Sequence, residues 1–151
     1  MLFGLMFENR SRASEILLVE DDENDAEHLT RVLNQVGVQN PIRWLKDGAS
    51  GMSYLAEVQH GENAPAILLL DIKLPVFSGF DILKALRGVS FFNRMLKIAF
   101  STLDDAATIK QTYVLGADSF LIKPVQVDDL NSVIESFPGP WLLGAGKPDG
   151  S

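Results

Sequence analysis

At 151 residues, 46% hydrophobic and 22% charged, the chain has the size and composition of one globular domain rather than a disordered segment. A formal charge of −7, with a sequence pI near 4.7, sets nucleic acid aside as a partner, since one polyanion repels another. The absence of cysteine excludes disulfides and thiol chemistry and fits a reducing cytoplasm.

Residues 1–7 are apolar, but they lack a basic start, are too short to span a bilayer and run into a charged stretch. Residues 1–14 are therefore read as an N-terminal extension, docked on the domain or on a partner, and no membrane association is expected. Short apolar runs bounded by polar or turn residues then mark strands at Ile16–Val19, 67–70, 98–100 and Ser119–Ile122, with a weaker one at Ile42–Leu45 after Pro41. Helical spacing lies between them. It joins Ala26, Leu29, Leu33 and Val36; Met52, Leu55 and Ala56; Ile82, Leu83 and Leu86; Ala106, Ile109 and Tyr113; and finally Val127, Leu130, Val133, Ile134 and Phe137. Gly37 ends the first helix, Asp104 is the expected cap of the fourth and Gly116 its end. Strand and helix alternate, and continuous apolar strands joined by helices require a parallel sheet covered on both faces, an α/β doubly wound sandwich. The domain proper is read as 15–137. A tail over 138–151 carries Trp141 and ends in a stretch, 148–151, expected to be mobile.

Ligands of such folds bind beyond the carboxyl ends of the strands, where strand order reverses. The first strand is followed at once by Glu20, Asp21 and Asp22, and the third by Asp71; the fourth delivers Ser101 and Thr102, and the fifth Lys123 and Pro124. Clustered carboxylates repel one another unless a cation neutralises them, and hard oxygen donors suit Mg²⁺. Phosphoryl transfer is mostly positioning plus neutralisation of the equatorial oxygens, a task that a metal, an ammonium and a hydroxyl can share. Taken singly, each feature has an ordinary explanation. The acidic run over 20–25 reads as a solvated helix start, Asp71 as a cap or turn residue, Lys123 with Pro124 as a turn, and Ser101 as a helix-entry hydrogen bonder. Their coincidence at the ends of four different strands is what favours a shared site.

The stretches ILLVEDD over 16–22, LLLDIKLP over 68–75 with Gly79, IAFST over 98–102 and GADSFLIKP over 116–124 together resemble the receiver domains of response regulators in two-component signalling. The likeness runs from Ile16 to about Phe137. It implies a flavodoxin-like (βα)5 sandwich with a five-stranded parallel sheet in the order 2-1-3-4-5. It also implies that Asp71 is the phosphoacceptor, that Glu20, Asp21 and Asp71 hold Mg²⁺ with the backbone carbonyl of Lys73, and that Ser101 and Lys123 meet the phosphoryl group. Ser101 and Phe120 would form the switch pair, Asp22 would start a helix, and the Lys123–Pro124 peptide would be cis.

Three features depart from the simplest receivers. Phe120 has no hydroxyl to donate; Lys73 sets a cation two residues past the acceptor, near the phosphoryl group or in solvent, where it is expected to alter dephosphorylation or metal affinity; and the loop over 60–65 is long. That loop, and a Trp just past the last helix, resemble the subgroup paired with phytochrome-type sensor kinases. The expected donor is therefore a sensor histidine kinase. Only one helix and a tail follow Pro124, so output is expected through contact with a downstream protein, with a phosphate shuttle or sink in a phosphorelay as the alternative. Trp141 either packs on its own domain or contributes to a homodimer or kinase contact. No enzymatic turnover of another substrate is expected. A pseudo-receiver would lack one of the acids, the Ser or the Lys; a haloacid-dehalogenase-like phosphatase needs a second Asp where Lys73 stands; and no Gly-rich nucleotide loop occurs.

Overall fold

The computed structural model describes residues 13–61 and 63–144. Five strands, β1 (Ile16–Val19), β2 (Ile42–Leu45), β3 (Ile67–Asp71), β4 (Leu96–Ser101) and β5 (Ser119–Ile122), alternate with five helices. The helices are α1 (Glu23–Gln35), α2 (Gly48–Val58), α3 (Gly79–Leu86), α4 (Ala106–Val114) and α5 (Val127–Ser136), and a 3₁₀ turn, Ser90–Phe92, precedes β4. The sheet is wholly parallel, in the order β2-β1-β3-β4-β5. This is the predicted flavodoxin-like arrangement. Strand order reverses at β1, which lies between β2 and β3.

Every residue of β1 and β3 is buried, as central parallel strands covered on both faces require. Alternate side chains serve opposite faces: Ile16, Leu18, Ile67 and Leu69 pack with Leu29, Leu33, Leu130 and Val133 of α1 and α5. On the other face Leu17, Val19, Leu68 and Leu70 meet Leu55 and Val58 of α2 and Ile82, Leu83 and Leu86 of α3. Full burial of each such side chain contributes about 1.5–3 kcal/mol against leaving it in water, so the central strands anchor the sheet. No helix among the described residues is long and apolar enough to cross a membrane.

Several expectations of detail are corrected. Strand β3 runs on to Asp71 and β4 spans Leu96–Ser101, because main-chain pairing with neighbours carries both past their apolar cores. In α2 the buried face is Gly48, Gly51, Leu55 and Val58, while Ala56 is exposed. Gly51 lies against the Val19 methyl groups, so the small residues let α2 approach the sheet. The α4 face predicted from Ala106, Ile109 and Tyr113 is not the buried one: Ala106 is exposed, Tyr113 is 46% exposed, and Thr112 is the buried residue of that helix. Its cap is Asp105, which accepts from Thr108 N–H at 3.0 Å, rather than Asp104.

Beyond α5, Trp141 is 6% exposed and packs with the α1 and α5 face of the core. The segment around it is tied down by main-chain pairing. Gln39 N–H donates to Leu142 O, Gly144 N–H donates to Gly37 O, and Val38 and Leu143 form an antiparallel bridge. Buried Asn40 completes the join by donating to the Ser14 and Pro140 carbonyls and accepting from Leu142 N–H. The apolar start at 1–7 and the tail end at 148–151 lie outside the described residues.

Candidate functional site

The carboxyl ends of β1, β3, β4 and β5 form one rim, and register places their functional residues there. Val19 pairs with Leu70, Asp71 with Phe100, and Ser101 with Ile122, so Glu20, Asp71, Ser101 and Lys123 each stand at or just past a strand end. Local sequence explains why the backbone turns at these points. Asp22 caps α1 by accepting from Asp25 N–H (2.9 Å), so the chain turns directly after Asp21. After Asp71, Gly79 N–H returns to Ile72 O (2.9 Å), and a Cβ at Gly79 would lie 2.5 Å from the Asp71 carbonyl oxygen. Only glycine permits that approach. In the same loop Val76 takes a positive φ of 66° and is 91% exposed, a strained conformation for a β-branched residue.

The rim brings two of the sequence-predicted acids, Glu20 and Asp71, to one ammonium. Lys123 Nζ donates to Glu20 Oε1, to Asp25 Oδ2 at 2.9 Å and to Asp71 Oδ2 at 3.0 Å, and lies 5.1 Å from the centre of the Phe100 ring. The peptide that follows, Lys123–Pro124, is cis. Asp71 Oδ1 accepts from Lys73 N–H at 3.0 Å. The Lys73 side chain itself is exposed. Ser101 is buried, and its Oγ accepts from Leu103 N–H at 3.0 Å. Phe120 is half-buried against the α2 and α3 face of the core, next to Ala99 in register, so strand β4 stands between it and Asp71.

Two contributors were not singled out from sequence. Asp25 had been absorbed into the acidic helix start, yet its place in the first turn of α1, directly above the strand end, brings it to Lys123. The signal was the length of the acidic run. Trp44 on β2 donates its indole N–H to the Glu20 carbonyl oxygen at 2.8 Å, fixing the backbone of the first acid from the neighbouring strand. No local motif announces that bond, because it depends on the β1–β2 register.

Charge is unbalanced here: Glu20, Asp25 and Asp71 contact the Lys123 ammonium, and an Asp21 oxygen lies close to those of Glu20 and Asp71. The Glu20 carboxyl is pushed up to about 8, first by burial and then by its hydrogen bond with Asp71, against the pull of Lys123. Burial alone would lower the Lys123 ammonium, but hydrogen bonds to Glu20, Asp25 and Asp71 outweigh it and hold the group above its ordinary value. One oxygen from each of Glu20, Asp21 and Asp71 lies within 4.8 Å of the others. Two of these acids are buried and Asp21 is exposed, so the cluster has an open side. Three hard oxygen donors with excess negative charge fit a small divalent cation.

A doubly wound parallel sheet with its polar residues collected beyond the strand ends at the reversal point defines a ligand-binding α/β domain of open-sheet type. The sequence profile of the response regulator receiver domain matches residues 16–135, and the chain belongs to that family, whose members are two-component signalling proteins rather than enzymes of the usual kind. Among curated relatives, the probable methanogenesis regulatory protein FilR2 of Methanothrix harundinacea is 29% identical over 128 residues, covering 84% of this chain and 83% of that protein. Response regulator Rcp1 of Synechocystis sp. is 26% identical over 129 residues, covering 84% and 88%. Its solved Mn(2+)-bound form superposes with a TM-score of 0.68. The solved bacteriophytochrome response regulator RtBRR is 28% identical with a TM-score of 0.76, covering 91% of this chain and 85% of that one.

Proposed function

We propose that this domain accepts a phosphoryl group on Asp71 from a histidine of a sensor kinase and passes the signal on through protein contact. The observation that carries the reading is the Lys123 ammonium on Asp71 Oδ2, beside carboxylate oxygens of Glu20 and Asp21 gathered within 4.8 Å of an Asp71 oxygen. In the reaction an Asp71 carboxylate oxygen forms a bond to phosphorus while the bond to the donor breaks, and the donor leaves with its electron pair. Lys123 offers positive charge to the incoming oxygens, and Lys73 N–H holds the other Asp71 oxygen in place. Glu20, Asp21 and Asp71, with the Lys73 carbonyl, are the ligands assigned to Mg²⁺, which when bound supplies charge neutralisation of the phosphoryl oxygens.

Ser101, at the end of β4, is assigned the hydroxyl that turns to the phosphoryl group, and Phe120, on β5, the aromatic side chain that answers it. The added phosphoryl carries about −1.5 to −2 charges, enough to redraw hydrogen bonds at this rim. Likeness to bacteriophytochrome response regulators supports a phytochrome-type kinase as the donor. The lack of cysteine supports a cytoplasmic setting.

Incubation with acetyl phosphate and Mg²⁺ followed by intact-mass measurement tests the assignment. The chain is expected to gain one base-labile phosphoryl group, and Asp71→Asn to gain none. Equal labelling of both proteins would remove Asp71 from its role.

A further inference from the structure

We propose that Asp25 is a positioning residue that parks the Lys123 ammonium in the resting state and limits how much of it is free for a phosphoryl group on Asp71. The proposal rests on the phosphoacceptor reading above and adds to it a residue outside the metal cluster.

A protonated lysine has three N–H donors. Here the donors meet three carboxylates, from Glu20, Asp25 and Asp71, and the Phe100 ring lies on a further side. In this arrangement the ammonium has no spare donor for a phosphoryl oxygen. One partner must therefore let go when a phosphoryl group arrives.

The three partners are not equivalent. Glu20 and Asp71 contribute to the carboxylate group that fits a cation, and their side chains are 0% and 4% exposed. Asp25 stands outside that group and its side chain is 44% exposed. A half-exposed carboxylate recovers hydration when its partner leaves, whereas a buried one does not. Where Glu20 and Asp71 would serve as cation ligands, Asp25 is the carboxylate left to compete with the phosphoryl oxygens for Lys123.

The backbone keeps Asp25 in this position. Asp22 Oδ1 accepts from Asp25 N–H at 2.9 Å, fixing the first turn of α1. One turn further on, the His28 ring nitrogen Nε2 bonds the Val125 carbonyl at 2.9 Å, joining α1 to the segment that follows Lys123. The Asp25–Lys123 contact thus spans two elements that are separately pinned together.

The experiment measures phosphorylation by acetyl phosphate with Mg²⁺, read as intact mass against time. It compares the wild type with Asp25→Ala, Asp25→Glu, Lys123→Met and the double variant Asp25→Ala/Lys123→Met. Asp25→Ala is expected to phosphorylate about threefold to tenfold faster, the range expected when one charge-assisted competitor is removed. Asp25→Glu, whose carboxylate still reaches the ammonium, is expected to stay near the wild-type rate. In the Lys123→Met background the added Asp25→Ala change is expected to have no effect, as a cycle between two coupled groups requires.

Affinity for beryllofluoride, a phosphoryl mimic that needs no chemical step, gives the same comparison where Lys123→Met reacts slowly. It should tighten in Asp25→Ala when Lys123 is present and stay constant when it is absent. An unchanged or slower Asp25→Ala overturns the proposal. So does an acceleration that survives Lys123→Met, which would mean that the lost charge acts directly on the anionic donor. A wild type that gains no phosphoryl group at all instead removes the phosphoacceptor reading itself.

Discussion

Glu20 shows how a single buried acid couples the candidate site to pH. Its carboxyl is raised from an ordinary 4.5 to about 8, mainly by burial and by the Asp71 hydrogen bond. The folded chain therefore holds a proton that the unfolded chain has released across that window. Stability changes with pH as protons bound unfolded minus protons bound folded, and that difference is negative here, so the metal-free protein is expected to lose stability as pH rises from about 4.5 to about 8. A divalent cation held by Glu20 would compete with that proton, so its affinity is expected to rise over the same window. Urea midpoints in EDTA at about pH 5 and about pH 8 measure the first effect, with Glu20→Gln flattening the profile. A wild-type midpoint that climbs with pH would show that the Lys123 ion pair, rather than burial, governs this acid.

Among the five helices, α4 buries the fewest residues. Thr112 is its buried residue, and that hydroxyl bonds back to the Thr108 carbonyl at 2.8 Å instead of adding apolar contact. Tyr113 and Val114 are 46% and 57% exposed. Helix α3, of similar length, buries Ile82, Leu83 and Leu86 and carries a reciprocal capping box between Ser78 and Asp81. Local opening free energy follows such differences in burial. Amide hydrogen exchange is expected to be fastest in α4 among the five helices and slowest in β1 and β3. Equal protection of α4 and α3 would refute that ranking.

Across the whole molecule, the two ends of the described chain close on each other. Trp141 packs on the α1 and α5 face of the core, and Asn40 ties its segment to the residues just before β1. Residues 138–144 are therefore part of the domain's packing. Trp141→Ala should lower stability by about 3 kcal/mol, the low end for emptying a large aromatic site, read as a reduced urea midpoint with an unchanged slope. A shift below about 0.5 kcal/mol, the size expected of a surface substitution, would mean that the indole adds little to the core.

The sequence by itself determined the alternation of strands and helices, because buried parallel strands such as ILLV and ILLL are apolar throughout and cannot be confused with amphipathic helices of this length. It also named the acids, the serine and the lysine at the strand ends, since only polar residues stop those runs. The face of α4 was not legible: its mixed composition supports more than one stripe, and packing on the sheet selected Thr112. Nor were the contacts of Asp25 and Trp44, which join residues 98 and 24 positions apart through strand order and register. Local patterning decides which elements form because it depends on neighbours in the chain. Only the tertiary structure decided that one ammonium should face three carboxylates, because long-range distances are set by how the sheet is wound.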